Sequence, residues 1–377
     1  MRRQVGSLIL CLTTIALPVT LRAQTAPPDA AIFAALESHE YDLAGTGRDF
    51  LLIEAKSNDF FLLGELHGDN EIPALIHTLW PQMWRDGYRH VAAEVSPWTA
   101  NQLETASASG PHIQGLWTKQ QAADIRAFAS PSSTVLWGCD MEEIHPEYLI
   151  RDLAALNLDD PSLKQMMELT KTGYNRKIAS DLLVLMQSSH TENDAVVNGI
   201  SLRQNLLSTL EIEKNRGRPD KKMTAQNQRE LLMKTQFLEH LRASGSGPTS
   251  KVLLRFGRNH LHRGYDARGI STLGNFIAEF AVSRGRKAFN VGAFGAGGKA
   301  TLMGETWDAD ERADELTFAL LAGHAKYAAT VFDIRPLRPL LHAIPANKRT
   351  PLQLNLIYWA DSYDALICYK NVTPLND

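Results

Sequence analysis

The sequence has little cysteine and no large excess of charge of one sign. It contains three cysteines in 377 residues, and Cys11 lies in an apolar N-terminal segment. The other two, Cys139 and Cys368, are too few for a four-cysteine zinc site or a disulfide scaffold. They leave open either one long-range disulfide or two buried thiols. The formal net charge of −3 gives no indication of nucleic acid or an acidic lipid surface as a partner.

The sequence also has no apolar run of the length of about 20 residues that a membrane-spanning helix needs. The nearest approach is an apolar run at 8–19, which follows Arg2 and Arg3 and precedes Ala23 and Gln24. A basic start, a short apolar stretch and a small residue before a polar stretch are typical of a secretory signal peptide. We therefore expect residues 1–23 to be removed and the mature chain, with no membrane span, to be periplasmic or secreted. An uncleaved N-terminal anchor is the alternative.

Short apolar runs alternate along the chain with stretches of helical periodicity. Buried strands are predicted at 59–64, 90–94, 134–138, 251–257, 289–292, 329–333 and 354–358. Between the first two strands a helix is expected to start near Glu71, with Asp69 or Asn70 as its N-cap. Such βαβ units imply a parallel sheet, so the predicted fold is α/β with a mostly parallel central sheet flanked by helices.

Residues 143–244 carry no strand signal and have helical spacing, with breaks at 157–161 and 214–222. We expect residues 24–377 to form a single α/β domain in which this segment is a helical insertion. The insertion covers one edge of the sheet and can act as a lid. Helices that only pack on the sheet are the alternative.

Ionisable side chains follow four of the predicted strands. They are Glu65 with His67, Glu94, Asp140, and His260 with His262. Ligands of open parallel sheets bind beyond the carboxyl ends of the strands, so these endings predict one functional site.

Each of these residues has a structural alternative. Glu65 could cap the following helix, and Asp140 could belong to a turn. Glu94 follows an apolar run, so it needs a histidine or a cation as partner. His67 lies in a loop beside glycine and is the expected general base. His260 is favoured over His262, because strand alternation turns one of the two away from the crevice.

The order of these motifs resembles the erythromycin esterase family, within a wider group that includes the ChaN haem-uptake and Tiki-type proteins. The matching pieces are Gly-Glu-Leu-His-Gly at 64–68 with Glu71, Val-Ala-Ala-Glu at 91–94, Trp-Gly-Cys-Asp-Met at 137–141, Arg229-Glu-Leu-Leu-Met233, 251–262, and short segments near 274, 292 and 364. Two departures stand out. One residue separates Glu65 from His67 where the esterases have two, and Arg258-Asn-His replaces part of their His-Asn-x-His segment.

The resemblance implies an exported hydrolase that cleaves an ester or lactone, or less readily an amide, of a small molecule. His67 would activate water, with Glu65 or Glu94 orienting the imidazole, and His260 and Arg229 would stabilise the oxyanion. No cofactor is required. No Gly-x-Ser-x-Gly segment occurs, which disfavours a serine nucleophile. Further substrate-binding residues are expected at Glu71, Asp140, Arg258 and His262.

Two alternatives use the same residues differently. Glu65, His67, Glu94 and His260 could bind a divalent metal in a Tiki-like hydrolase or protease. A ChaN-like protein would instead bind haem through a histidine or tyrosine.

Overall fold

The computed structural model describes residues 29–105, 117, 119–128, 134–143, 146–189, 193–245 and 250–375. The signal peptide predicted at 1–23 lies outside these residues. Within them, no helix has the length and apolar character needed to cross a membrane.

A mostly parallel sheet forms the centre of the fold. The strands are β1 (Glu40–Asp42), β2 (Phe60–Glu65), β3 (Tyr88–Ala93), β4 (Leu136–Gly138), β5 (Val196–Val197), β6 (Ile200–Ser201), β7 (Lys251–Gly257), β8 (Ala288–Leu302), β9 (Glu305–Asp310), β10 (Ala329–Asp333) and β11 (Ala365–Tyr369). The central sheet has the order β1-β10-β11-β8-β2-β7-β3-β4, with β9 paired to β8. All neighbours from β11 to β4 run parallel, whereas β1, β9 and β10 pair antiparallel. The α/β fold predicted from the sequence is confirmed.

The described residues also form α-helices, some of which cover both faces of the sheet. They are α1 (Asp29–Ser38), α2 (Thr46–Ser57), α3 (Glu71–Arg85), α4 (Pro97–Thr105), α5 (Lys119–Phe128), α6 (Pro146–Leu156), α7 (Pro161–Leu169), α8 (Ala179–Ser188), α9 (Leu202–Arg216), α10 (Lys222–Ala243), α11 (Leu273–Ser283), α12 (Leu316–His324), α13 (Leu337–His342) and α14 (Pro351–Ser362). Helices α1 and α10 to α14 pack on one face, and α2 to α4 pack on the other. Because both faces are covered, β2 is apolar almost throughout, with Phe60 and Leu62 in one core and Phe61 and Leu63 in the other.

Helix α3 begins at Glu71, as predicted. The side chain of Asp69 caps it, because its Oδ1 accepts a hydrogen bond from the Ile72 amide at 2.8 Å. Beyond the cap, the apolar face packs against the sheet, with Leu75 and Leu79 buried. This helix closes the first βαβ unit and fixes where the loop after β2 can lie.

The strand predicted at 354–358 is wrong, because these residues lie inside α14. Thr350 caps this helix in a reciprocal pair with Gln353, and Pro351 occupies its first turn. A threonine followed three residues later by glutamine is a helix-start signal, and it outweighs the short apolar run. The final strand is instead β11, which lies between β10 and β8.

Residues 146–243 lie mostly in α6 to α10, and helix breaks occur at both predicted places. Helix α6 ends at Leu156 before α7 begins at Pro161, and α9 ends at Arg216 before α10 begins at Lys222. The segment is not free of strands, however, since β5 and β6 form a small antiparallel hairpin. A two-residue strand is too short to show as a periodic pattern.

Strand β8 is much longer than the predicted 289–292. It runs past the edge of the sheet to Leu302 and turns back as β9 through a two-residue loop. The Thr301 amide donates to the Gly68 carbonyl at 2.8 Å, so the end of this hairpin is joined to the loop that carries His67.

Both described cysteines are free and buried. Cys139 follows β4, and Cys368 lies within β11. Of the two alternatives that the sequence left open, the fold has two buried thiols.

Candidate active site

The carboxyl ends of four neighbouring parallel strands bring the predicted residues together. Glu65 is the last residue of β2, and Glu94 directly follows β3. Asp140 lies two residues after β4, and His260 ends a short 3₁₀ turn after β7. These strands are adjacent in the order β2-β7-β3-β4, so their ends meet at one edge. A cavity of about 320 Å³ opens there.

The carboxylate of Glu94 is the centre of the cluster. Its Oε2 accepts from the Gly257 amide at 2.6 Å and lies 3.5 Å from His67 Nε2. The other oxygen, Oε1, lies 2.7 Å from Arg229 Nη2 and 3.3 Å from His260 Nε2. A Cβ atom at Gly257 would lie 2.7 Å from His67 Nε2, so only glycine lets the imidazole approach. Glu94 thus has a backbone donor and three cationic partners.

The Nδ1 side of His67 contacts the buried ion pair of Glu65 and Arg255. Its Nδ1 donates to Glu65 Oε1 at 3.0 Å, and Glu65 Oε2 accepts from Arg255 Nε at 2.5 Å. Burial raises the pKa of Glu65, but Arg255 and His67 outweigh it and hold that pKa below its usual range. The Arg255 guanidinium in turn lies over the Trp117 ring, 4.5 Å from its centroid. The orientation of His67 is therefore fixed by buried groups.

Both imidazoles of the cluster bind protons strongly. Burial lowers the pKa of His67, but Glu94 and Glu65 outweigh it and raise it to about 10. Burial likewise lowers the pKa of His260, and Glu94 together with Glu230 raises it to about 9. The second partner, Glu230 on α10, accepts from His260 Nδ1 at 2.5 Å and from a backbone amide. Carboxylates only accept hydrogen bonds, so each imidazole facing two of them is an imidazolium.

The charges of this cluster balance. Asp140 accepts two hydrogen bonds from Arg229, one of them from Nε at 3.0 Å. Glu94 has a lowered pKa because its three cations outweigh its burial. Four carboxyl groups face four basic groups, namely Glu65, Glu94, Asp140 and Glu230 against His67, Arg229, Arg255 and His260. Burial raises the pKa of Asp140, and Arg229 opposes that shift. A buried cluster of this kind is stable only if every charge has a partner.

The cavity has a polar wall and an apolar wall. On the polar wall, Glu142 is buried and accepts from the hydroxyls of Ser96 and Thr99. The Ser96 Oγ also accepts from the Thr99 amide at 3.0 Å, so this hydroxyl is held as a helix cap. The apolar wall consists of Val95, Met141, Leu302 and Met303.

Three of the residues predicted to bind substrate do not line this cavity. Glu71 accepts from the Thr373 amide at 3.0 Å and anchors the C-terminal segment. Arg258 pairs with Glu311, with Nη2 lying 2.5 Å from Oε1. Both side chains therefore have structural partners elsewhere, and only Asp140 of the predicted set reaches the cavity.

His262 is the third. Its ring lies among three aromatic rings, with centroid distances of 4.9 Å to Tyr358, 5.1 Å to Trp359 and 5.2 Å to Tyr363. Burial lowers the pKa of His262 to about 4, so the ring is neutral. His260, and not His262, lines the cavity, in agreement with the expectation. Strand alternation is not the cause of this difference. Both residues lie after the end of β7, where strand alternation no longer applies.

Two residues of the cluster, Glu230 and Arg255, were not predicted. Arg255 is a charged residue inside the apolar strand β7, and a buried strand charge needs a partner. A charged residue within an apolar run is visible in the sequence and could have identified Arg255. Glu230 directly follows Arg229 on α10, but nothing local shows that both neighbours turn inward.

The histidine and carboxylate side chains of the site are paired with one another rather than arranged around a divalent metal. Each ring nitrogen of His67 and His260 faces a carboxylate, and Arg229 occupies the remaining side of Glu94. Within the described ranges, no group of three or more His, Cys, Asp and Glu side chains is arranged to hold a metal ion.

The sequence matches no protein-family model and no curated protein. Solved structures match in fold, among them the following three. A protein from Bacillus cereus is 16% identical with a TM-score of 0.57, and the match covers 92% of this chain and 98% of that one. An erythromycin esterase, EreC, in its open conformation is 12% identical with a TM-score of 0.57, over 88% and 95%. A succinoglycan biosynthesis protein is 13% identical with a TM-score of 0.56, over 92% and 97%. At such identities the likeness shows a shared fold.

Proposed function

We propose that this chain is an exported hydrolase of the erythromycin esterase-like type that uses water to cleave an ester or lactone of a small molecule. The observation that carries the proposal is the placement of His67. Its Nδ1 is held by Glu65, its ring lines the cavity, and its side chain, at 26% exposed, is the most accessible of the eight charged groups. An imidazole that a carboxylate orients through one nitrogen and that lines a cavity is the arrangement of a general base.

In this mechanism His67 must first lose the proton on Nε2. Because its pKa is raised to about 10, activity rises as the pH rises above neutrality, until the loss of the proton on His260, whose pKa is about 9, opposes the gain. The neutral imidazole then takes a proton from water as the water oxygen attacks the carbonyl carbon. Glu65 keeps the other proton on Nδ1, which fixes the tautomer. When the tetrahedral intermediate collapses, Nε2 returns the proton to the leaving alcohol.

Arg229 and His260 supply positive charge at the cavity. Both contact Glu94 Oε1 and both line the cavity, so their positive charge lies near the carbonyl oxygen of a bound ester as it becomes an oxyanion. The raised pKa of His260, about 9, keeps this imidazole protonated at neutral pH. His67 and His260 thus have different roles although both are paired with Glu94.

The nucleophile in this proposal is water. Cys139 and Cys368 are buried, and burial raises the pKa of each thiol, which disfavours the thiolate. Ser96 lines the cavity, but its hydroxyl is committed to Glu142 and to the cap of α4. The resemblance of the motifs to the erythromycin esterase family supports the reaction class, and the basic, apolar start of the chain supports export.

The proposal is tested with a panel of ester, lactone and peptide substrates, each assayed with and without added divalent metal. Ester or lactone hydrolysis is expected, and exhaustive chelation should leave the rate unchanged. His67→Gln should lower kcat about a thousandfold. His342→Gln is the matched control, because that histidine is exposed and pairs with Asp361 away from the cavity. A metal requirement, or full activity in His67→Gln, would contradict the mechanism.

A further inference from the structure

The turn between β8 and β9 has a residue that its backbone does not favour. Leu302 pairs with Glu305, so the loop consists of Met303 and Gly304 alone. Both have positive φ, 51° and 81°. Two-residue hairpin loops of this kind favour Asn-Gly, because a Cβ atom is strained in the left-handed region and the short polar side chain of asparagine offsets that strain by hydrogen-bonding locally. Methionine at this position therefore costs stability.

A second hairpin in the same chain shows the favoured solution. Between β5 and β6, Val197 pairs with Ile200 and the loop is Asn198-Gly199, with φ values of 49° and 82°. The two loops have nearly the same φ angles. The β5–β6 hairpin therefore has the preferred asparagine at its first loop position, whereas the β8–β9 hairpin beside the cavity has methionine there.

Met303 lies at the cavity. It is 51% exposed and lines the cavity together with His67 and Leu302. The bond from the Thr301 amide to the Gly68 carbonyl at 2.8 Å joins its hairpin to the residue directly after His67. An exposed apolar side chain on a strained backbone contributes little to folding, and such strain is found at ligand-binding positions.

We propose that Met303 is a substrate-contact residue that binds a short apolar arm of the ester, next to the scissile bond. This inference rests on the proposed hydrolase function and names the substrate class. Val95, Met141 and Leu302 are the other apolar residues that line the cavity. The cavity volume of about 320 Å³ is at the small end for ligand pockets, so the preferred arm is short. Methionine suits such a wall because its side chain is flexible and polarisable.

The test compares the wild-type protein with Met303→Asn and Met303→Leu on ethyl acetate, ethyl butyrate and ethyl hexanoate. The asparagine variant should raise KM for ethyl butyrate about tenfold, with a smaller effect on ethyl acetate and little change in kcat. The leucine variant should keep the preference for butyrate. The same asparagine variant should also raise Tm, by about 1–3 °C, because it relieves the turn. Val282→Asn removes an exposed apolar side chain from α11 and serves as the matched control.

Binding of the unreactive ketones butan-2-one and hexan-2-one, measured by calorimetry, separates the two hypotheses. If the wild-type protein hydrolyses the esters but KM is unchanged in Met303→Asn, the assignment of Met303 is wrong and the hydrolase stands. If no ester is hydrolysed, the hydrolase proposal is wrong, and weaker ketone binding by Met303→Asn still supports the apolar contact. Equal ketone binding by both proteins, no binding by either, or a lower Tm in Met303→Asn overturns it.

Discussion

The carboxylate of Glu94 should make the free energy of unfolding of this protein depend on pH in the mildly alkaline range. The perturbation is Glu94→Gln, which keeps the shape of the side chain and its acceptor for the Gly257 amide. It removes the charge that contributes most to raising the pKa of both His67 and His260. Breaking a buried ion cluster in this way should lower the free energy of unfolding near neutral pH by about 3 kcal/mol.

The pH dependence has a definite sign. At pH 7.5 the unfolded chain has released the protons of its histidines, whose ordinary pKa is about 6.5. The folded protein keeps them on His67 and His260, with pKa values of about 10 and about 9. The stabilisation from both imidazoles is complete below about pH 6.5 and is lost as the pH rises through the folded pKa values. Each retained proton lowers the free energy of unfolding by about 1.4 kcal/mol per pH unit, so two give about 2–3 kcal/mol between pH 7.5 and 8.5.

The assay is equilibrium unfolding in urea at pH 7.5, 8.0 and 8.5, on the wild-type protein and on Glu94→Gln. Thiols and lysines that begin to titrate in this range are the same in both proteins and cancel in the comparison. The wild-type protein should lose stability steeply over the interval, whereas Glu94→Gln should show a much flatter response. Equal slopes in the two proteins would refute the claim that Glu94 holds these protons.

The remaining predictions concern the other side of the site and the start of the chain. Arg229→Gln should lower kcat about a hundredfold or more with a smaller change in KM, because its charge is placed for the oxyanion; a change in KM alone would argue against that role. Glu230→Gln should lower kcat about tenfold and reduce the pKa of His260 measured by NMR titration; an unchanged pKa would remove its positioning role. N-terminal sequencing of the exported protein should begin near Gln24, and a retained Met1 on cytoplasmic protein would contradict export.

Most of the sheet could be predicted because buried strands in a parallel sheet are continuous apolar runs. The strand predicted at 251–257 has the bounds of β7, and that at 329–333 has the bounds of β10. A short apolar run can also belong to a buried helix, and its apolar character and length do not then distinguish a strand from a helix. At 354–358 the apolar run belongs to α14, and only the pair of Thr350 and Gln353 distinguishes the two.

The part of the site at the strand ends could be predicted for the same reason. Glu65, Glu94 and His260 are local in sequence to strands whose order the sheet imposes. The contribution of α10 is different. Arg229 could be named from the motif, but its neighbour Glu230 turns to another imidazole, and that depends on how the helix crosses the sheet edge. Tertiary packing of this kind leaves no periodic trace in the sequence.

The two buried thiols, Cys139 and Cys368, allow local unfolding of this protein to be measured by chemical labelling. Cys139 directly precedes Asp140 at the site, whereas Cys368 lies in β11. A thiol reagent can modify either one only after the surrounding structure opens, so the rate of labelling measures the frequency of that opening. Faster labelling of Cys139 than of Cys368 would show that the site end of the sheet opens without global unfolding. In an oxidising compartment the same burial protects both sulfurs, since oxidation follows exposure and thiolate character.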